Sequence, residues 1–174
     1  MGDEVWYATI VGVIVLSGLS IFSILYLAKM RRTKTNAAWK QAATELGLDF
    51  TPVTRIFGKY RMSGVIGKQL SCSVWAYTEP NGQGGYTTFM NYDVRFPQRL
   101  NKVKELLTPN IRSKLLEVSN VLKNLVVSDD SVNSIGMHGF IRKSEILVQN
   151  VKLLIQLAEL IIPNEEVDSI FEEI

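Results

Sequence analysis

Residues 5–28, VWYATIVGVIVLSGLSIFSILYLA, form an uncharged run near the start of this chain of 174 residues. An α-helix rises about 1.5 Å per residue, so about 20 apolar residues cross the ~30 Å hydrocarbon layer of a bilayer. Because unpaired backbone groups are costly in lipid, a single segment crosses as a helix. The run exceeds the ~7–15 apolar residues of a secretory signal. It therefore predicts a membrane-spanning helix that carries one domain.

Charged residues on the two sides of this run predict its orientation. Asp3 and Glu4 precede the run, and four basic residues follow it: Lys29, Arg31, Arg32 and Lys34. Positive charge stays on the cytoplasmic side of a span. We therefore expect residues 1–4 outside, residues 29–174 inside, and the protein in the cell membrane. The four bases are expected to meet the membrane surface, where anionic lipid attracts them; the alternative is that they act only as a topology signal.

Small residues are frequent in the apolar run. Ala8 and Gly12 form a small-xxx-small pair, which allows two helices to approach closely. This composition predicts packing against other integral membrane subunits within the bilayer, although Gly is also common in spans without that role. The residues assigned to this contact are Ala8, Gly12, Ser17, Gly18 and Ser20.

Residues 37–162 predict one α+β domain, in which helices pack on an antiparallel sheet, behind a basic link of residues 29–36. Apolar residues at helical spacing follow Thr35 and Asn36, which are expected to cap a new helix. Alternating residues predict strands, and Gly67-Lys68 predicts a two-residue hairpin turn. The expected elements are helix 37–46, strands 60–66, 69–79 and 86–96, two short helices after Pro97, strands 121–128 and 132–135, and helix 144–162.

The last of these helices has a narrow polar side. Its polar stripe recurs at spacings of four and three residues: Glu145, Gln149, Lys152, Gln156 and Glu159. The remaining apolar surface is wider than the ~100° stripe that a surface helix buries. Either the domain wraps this helix, or its outer flank contacts a partner or the membrane.

Aromatic residues fall on the second face of the predicted sheet. An alignment of Trp75 with Phe89 keeps both alternation patterns in phase and places Tyr77 beside Thr87. The strand over residues 60–66 can add Tyr60 and Met62 to this face. Either a helix covers the face, or Trp75, Tyr77 and Phe89 form an exposed partner-contact site.

Residues 163–174 form an acidic tail with helical periodicity. Val167, Ile170, Phe171 and Ile174 are spaced as the apolar side of an amphipathic helix, the kind that docks in the groove of a partner. The tail can equally pack on its own domain or fray.

Residue types that carry chemistry are sparse. Cys72 is the single cysteine and His138, in a predicted turn, the single histidine. They cannot build a Cys/His metal site, and Cys72 is expected to be a small buried side chain. The Gly-rich segment 82–85 precedes a strand, which predicts a hairpin rather than a phosphate loop, and Asp129-Asp130 predicts a turn. With a net charge of +2 and no basic aromatic face, we expect no nucleic-acid partner. Because the sequence shows no catalytic or metal-binding cluster, we also expect no enzyme activity, cofactor or metal.

The pattern Trp39-x-x-x-Ala43-x-x-Leu46-Gly47-Leu48, followed by Met62-x-Gly64-x-x-Gly67 and residues 87–96, resembles uncharacterised bacterial membrane-associated proteins. In these proteins a helix ending in Leu-Gly-Leu precedes a Gly-punctuated hairpin and a Thr-rich strand, and a Leu-rich helix closes the domain. The resemblance covers roughly residues 37–162. It implies an α+β fold and no particular site or activity.

Taken together, these features predict a non-catalytic accessory or scaffolding subunit of a larger membrane complex. Its contacts would be made by the transmembrane helix and the cytoplasmic domain. The alternative is a membrane-tethered domain that binds a lipid or a small ligand through the aromatic sheet face and the basic stretch.

Overall fold

The computed structural model describes residues 2–54, 58–100 and 103–162. It confirms the predicted α+β class, with a long N-terminal helix and a six-stranded antiparallel sheet. The elements are α1 (Gly2–Leu46), β1 (Asp49–Thr51), β2 (Tyr60–Ile66), β3 (Leu70–Pro80), β4 (Tyr86–Arg95), α2 (Val103–Leu106), α3 (Pro109–Val121), β5 (Leu125–Val127), β6 (Ser131–His138) and α4 (Ser144–Ile161). The strands lie in the sheet in the order β1-β2-β3-β4-β6-β5.

Helix α1 runs without a break for 45 residues, or about 67 Å. It is long and apolar enough, by length and composition, to cross a membrane. The helix cap expected at Thr35 or Asn36 is therefore wrong. The Thr35 hydroxyl donates to Arg31 O one turn back, at 2.9 Å. The Asn36 amide bonds to the backbone of Val53, accepting from its N–H at 3.1 Å and donating to its carbonyl at 3.0 Å. With both side chains occupied in this way, nothing interrupts the backbone ladder between the apolar run and the domain.

The two halves of α1 differ in burial. The apolar side chains from Trp6 to Leu27 are exposed, whereas Trp39 is fully buried in the domain. Trp39 Nε1 donates to Ile141 O at 3.2 Å, and its ring contacts the rings of Phe50, Tyr60 and Phe140. The C-terminal turns of α1 are thus part of the domain core, although the same helix begins outside the domain.

The predicted strands β2, β3 and β4 are confirmed to within one residue at each end. The turn between β2 and β3 differs from the expected two-residue hairpin. Ile66 pairs with Leu70, which leaves three residues in the turn, with positive φ at Gly67 and Gln69. Strand β1, which pairs with β2, was not predicted because three residues carry too little alternation to detect.

The strand expected over residues 121–128 is largely wrong. Helix α3 continues to Val121, and β5 covers only Leu125–Val127. Thr108 caps this helix through its hydroxyl, and Pro109 occupies its first turn, where a missing N–H costs nothing. The helix therefore starts strongly and is longer than the single turn that the sequence indicated.

The core lies between one face of the sheet and the helices. Helix α4 contacts α1, α3, β4 and β6, so the domain buries most of its apolar surface. Ile146 and Leu160 stay 41% and 43% exposed. Wrapping by the domain therefore accounts for most of this helix, and a contact on its outer flank stays a prediction at these two residues. A polar contact lies in this interior: Asn150 is buried, and its Nδ2 donates to the Tyr92 hydroxyl at 3.1 Å. Burial raises the pKa of Tyr92 to about 12, with the Asn150 contact opposing it, so the phenol stays neutral.

Candidate functional site

The second face of the sheet, which we call the open face, carries the predicted aromatic residues. Trp75, Tyr77 and Phe89 are half-buried there, outside the core cluster. The described helices α1 and α4 pack on the opposite face. Among the described residues, no helix covers the open face, contrary to one of the two expectations. Tyr77 and Phe89 stack with ring centroids 5.4 Å apart.

The register of the open face differs from the expected one. Tyr77 pairs with Phe89, and Trp75 pairs with Asn91 instead of Phe89. Alternation assigns residues to a face, but a shift of two residues preserves it, so the pattern alone could not choose between these registers. Tyr60 and Met62 lie on the core face instead. The three-residue turn between β2 and β3 reverses the parity of pairing that a two-residue turn would give.

A shallow groove of about 470 Å³ lies on the open face. Its lining includes the basic residues Lys59, Arg61 and Arg95 beside Trp75 and Asp93. Arg95 Nε donates to Asp93 Oδ2 at 2.9 Å, which neutralises one of the three positive charges locally. The groove is therefore polar and moderately basic, with one aromatic wall.

A second concavity of about 190 Å³ lies where the apolar half of α1 meets the domain; we call it the basic pocket. Its lining residues on α1 are spaced i, i+3, i+4 and i+7, which places them on one side of the helix. Tyr60 comes from β2, and Phe140 and Arg142 come from the segment between β6 and α4. The complete lining is Ala28, Arg31, Arg32, Thr35, Tyr60, Phe140 and Arg142.

The predicted membrane-surface residues separate into two groups. Arg31 and Arg32 line the basic pocket, and Arg32 Nη1 also donates to Thr54 O at 2.6 Å. Lys29 and Lys34 are exposed and line none of the concavities described here. Four bases that the sequence presents as one cluster therefore have two different environments.

An aromatic cleft of about 340 Å³ adjoins the basic pocket, with which it shares Tyr60 and Phe140. Thr78 and Thr88 are among its lining residues, and their Oγ1 atoms lie 3.1 Å apart across β3 and β4. Burial raises the pKa of Tyr60, while Arg32, Thr35 and Arg142 oppose this rise. The Tyr60 phenol is therefore a neutral hydrogen-bond donor at the junction of the two concavities.

The small residues of α1 lie in its exposed half. Gly12 and Gly18 have open space where a side chain would project, and Ser17 and Ser20 are exposed. Ser20 Oγ donates to Leu16 O at 2.8 Å, so its hydroxyl is satisfied within the helix. Ala8 also lies within α1, four residues before Gly12. Because residues five apart differ by about 140° around a helix, Gly12 and Ser17 do not share one face.

Cys72 and His138, the single cysteine and the single histidine, both lie on strands of the sheet. Cys72 is buried on the core face, as predicted, and burial raises the pKa of its thiol to about 12, with Asp93 adding to the rise. His138 ends β6 opposite Phe89, so its assignment to a turn is wrong. Within the described residues, no three His, Cys, Asp or Glu side chains are arranged to hold a metal ion.

The two predicted loops are confirmed as turns. Asn81 Oδ1 accepts from Gly85 N at 2.9 Å and from Gln83 N at 3.2 Å, which closes the β3–β4 hairpin. Asp130 accepts from the Ser128 hydroxyl at 2.7 Å, and that contact lowers the pKa of the carboxyl. The carbonyl of Asp129 receives the N–H of Leu100 at 2.7 Å. These contacts order the backbone of both loops, and Asp129 also forms an exposed ion pair with Arg99 at 3.5 Å.

No pattern in the sequence indicates the basic pocket, because its members are far apart in the chain. Arg142 stands more than a hundred positions after Arg31, and Tyr60 was assigned to the wrong sheet face. The predicted partner-contact residues of the tail, Val167, Ile170, Phe171 and Ile174, lie outside the described residues. Comparison with protein-family models, with curated proteins and with solved structures finds no match to this chain.

Proposed function

We propose that this protein is a non-catalytic accessory or scaffolding subunit of a larger complex in the cell membrane. In this proposal α1 crosses the bilayer once, with the N-terminus outside and the α+β domain in the cytoplasm. Its partners are the lipid bilayer and other integral membrane subunits. The observation that carries the proposal is the unbroken helix that joins the exposed apolar segment to the core of the domain.

The exposed apolar half of α1 supports the membrane part of the proposal. From Trp6 to Leu27 its large apolar side chains are 43–72% exposed. A surface of this kind is stable only when lipid or another protein covers it. The basic residues that follow the run support the N-out orientation. Open space at Gly12 and Gly18 would admit the backbone of a neighbouring helix.

The rigid connection supports a subunit more than a tethered binding domain. A domain that only has to be kept near the membrane can hang from a flexible linker. Here Arg32 and Asn36 bond to residues 53 and 54 from within the helix, and Trp39 is locked into the core one turn later. The domain is therefore held at a fixed orientation to the span, which suits a fixed neighbour. The open face, with Trp75 and Tyr77, would present the contact surface.

The test is isolation of the full chain at its native level of expression in a mild detergent. We expect light scattering to give a mass above that of one chain, with a partner of constant stoichiometry identified by mass spectrometry. A variant whose residues 5–28 are replaced by a Leu/Ala helix of equal length keeps the anchor and should lose the partner. The matched control replaces Gln41 and Thr44, which are exposed on the domain half of α1 and away from the open face, by Ala. A wild-type chain that is monomeric with no stoichiometric partner would overturn the proposal.

A further inference from the structure

The basic pocket concentrates positive charge without a compensating carboxylate. Arg31, Arg32 and Arg142 line it together with the neutral phenol of Tyr60. Among the described residues, no ion pair involves any of these three guanidinium groups. The groove on the open face also holds three cations, but Asp93 pairs with one of them. The basic pocket is therefore the stronger anion site of the two.

The chemistry of the lining selects a particular anion. A guanidinium group presents a planar fork of N–H donors that matches two oxygens of a phosphate. Guanidinium groups from two separate segments, with a phenolic donor between them, can surround a tetrahedral group on several sides. The volume of about 190 Å³ corresponds to roughly six water molecules. That space admits a phosphate with its attached atoms and is smaller than the ~300–1,000 Å³ of sites for drug-sized ligands.

The height of the pocket on α1 matches the headgroup layer of a bilayer. Ala28 ends the apolar run and also stands at the edge of the pocket. Thr35, at the other end, is seven residues or about 10 Å further along the helix axis. The polar layer on each side of a bilayer is about 5–8 Å thick. When the apolar run fills the hydrocarbon, Arg31 and Arg32 therefore lie at the depth of the lipid phosphates.

We propose that the basic pocket binds the phosphate group of an anionic phospholipid in the leaflet from which the domain emerges. Arg31 and Arg142 hold the phosphate oxygens, Tyr60 donates to one of them, and Phe140 borders the site. The lipid acyl chains then lie along the exposed apolar half of α1. The inference requires that α1 spans the membrane but does not require partner subunits. A monomeric protein would contradict the proposed complex but not the lipid site. Loss of lipid binding would contradict the lipid site but not the proposed complex.

The test uses the full chain, delipidated in a non-ionic detergent and titrated with phosphatidylglycerol or phosphatidylcholine. Native mass spectrometry counts the lipids that remain bound. We expect one phosphatidylglycerol to bind in preference to phosphatidylcholine. Arg142→Gln should weaken its binding about tenfold, because one charge-assisted contact is lost. Lys34→Gln is the matched control: it removes one charge at a similar depth, outside the pocket, and should change binding by about twofold.

Three further results decide the inference. Arg142 is exposed, so its variant should keep the wild-type circular dichroism spectrum and unfolding midpoint. Equal losses in the Arg142 and Lys34 variants would overturn the site, and equal binding of the two lipids would overturn its assignment to an anionic lipid. A third arm adds inorganic phosphate without lipid. Binding of inorganic phosphate that depends on Arg142, combined with no preference for anionic lipid, would keep the phosphate site and overturn its assignment to a lipid.

Discussion

A flexible insertion between the apolar run and the domain tests the rigidity of α1 directly. Spin labels on Ser17→Cys and Thr44→Cys, both exposed positions of α1, lie 27 residues apart, or about 40 Å. Cys72 is 1% exposed and should stay unlabelled. Inserting Gly-Ser-Pro-Gly between Lys29 and Met30 disfavours the helix by about 5 kcal/mol, from one proline and two glycines. Four flexible residues spread their ends over about 11 Å.

The assay is pulsed electron paramagnetic resonance of the labelled chain in bilayers. We expect a narrow distribution of label-to-label distances near 40 Å for the chain without insertion, and a distribution broadened by about 10 Å after the Gly-Ser-Pro-Gly insertion. Insertion of four alanines at the same place is the matched control. It should lengthen the helix by about 6 Å and keep the distribution narrow. A broad distribution without insertion, or equal widths for the two insertions, would refute the rigid connection.

Two further predictions concern the core of the domain, and urea unfolding of the full chain in a non-ionic detergent, followed by near-ultraviolet circular dichroism, measures both. Tyr92→Phe and Asn150→Leu should each lower the free energy of unfolding by about 1–3 kcal/mol, because each leaves the other polar group buried and unpaired. The double variant should recover at least about 0.5 kcal/mol of the summed loss, whereas strictly additive losses would contradict the contact. The second prediction concerns pH. Burial raises the pKa of Cys72 in the folded protein, so the thiol of the unfolded chain ionises first. The free energy of unfolding therefore falls as pH rises above the ordinary thiol pKa of 9.0. This contribution should amount to about 1 kcal/mol between pH 7.5 and 9.5, and Cys72→Ala should abolish it; an unchanged slope would contradict the burial.

Local chemistry in the sequence was enough to predict much of this fold. The uncharged run, the alternation of β3 and β4, and the polar stripe of α4 each depend on neighbouring residues alone. Helical and extended backbones place such neighbours at fixed angles, so their faces can be read before the chain is folded. The burial of Cys72 and the turn at Asp129-Asp130 followed from the same local patterns.

The registers of the strands and the unbroken course of α1 depend on contacts that the sequence does not display. The β2–β3 turn has three residues, and this single extra residue moved Tyr60 from the open face to the core face. The supposed cap residue Asn36 continues α1 because its amide bonds to Val53, seventeen positions away. A cap signal is weak, and a tertiary hydrogen bond of similar strength can override it.

The apolar run from Val5 to Ala28 illustrates this division. The sequence by itself determined that the run is a helix long enough to cross a bilayer, because length and apolarity are properties of consecutive residues. Only the tertiary structure decided that the same helix enters the domain core at Trp39. It alone brought Arg142 beside Arg31 and Arg32 at the end of the run. The physical reason is that a binding pocket depends on the distances between separate segments, which the packing of the sheet and helices sets.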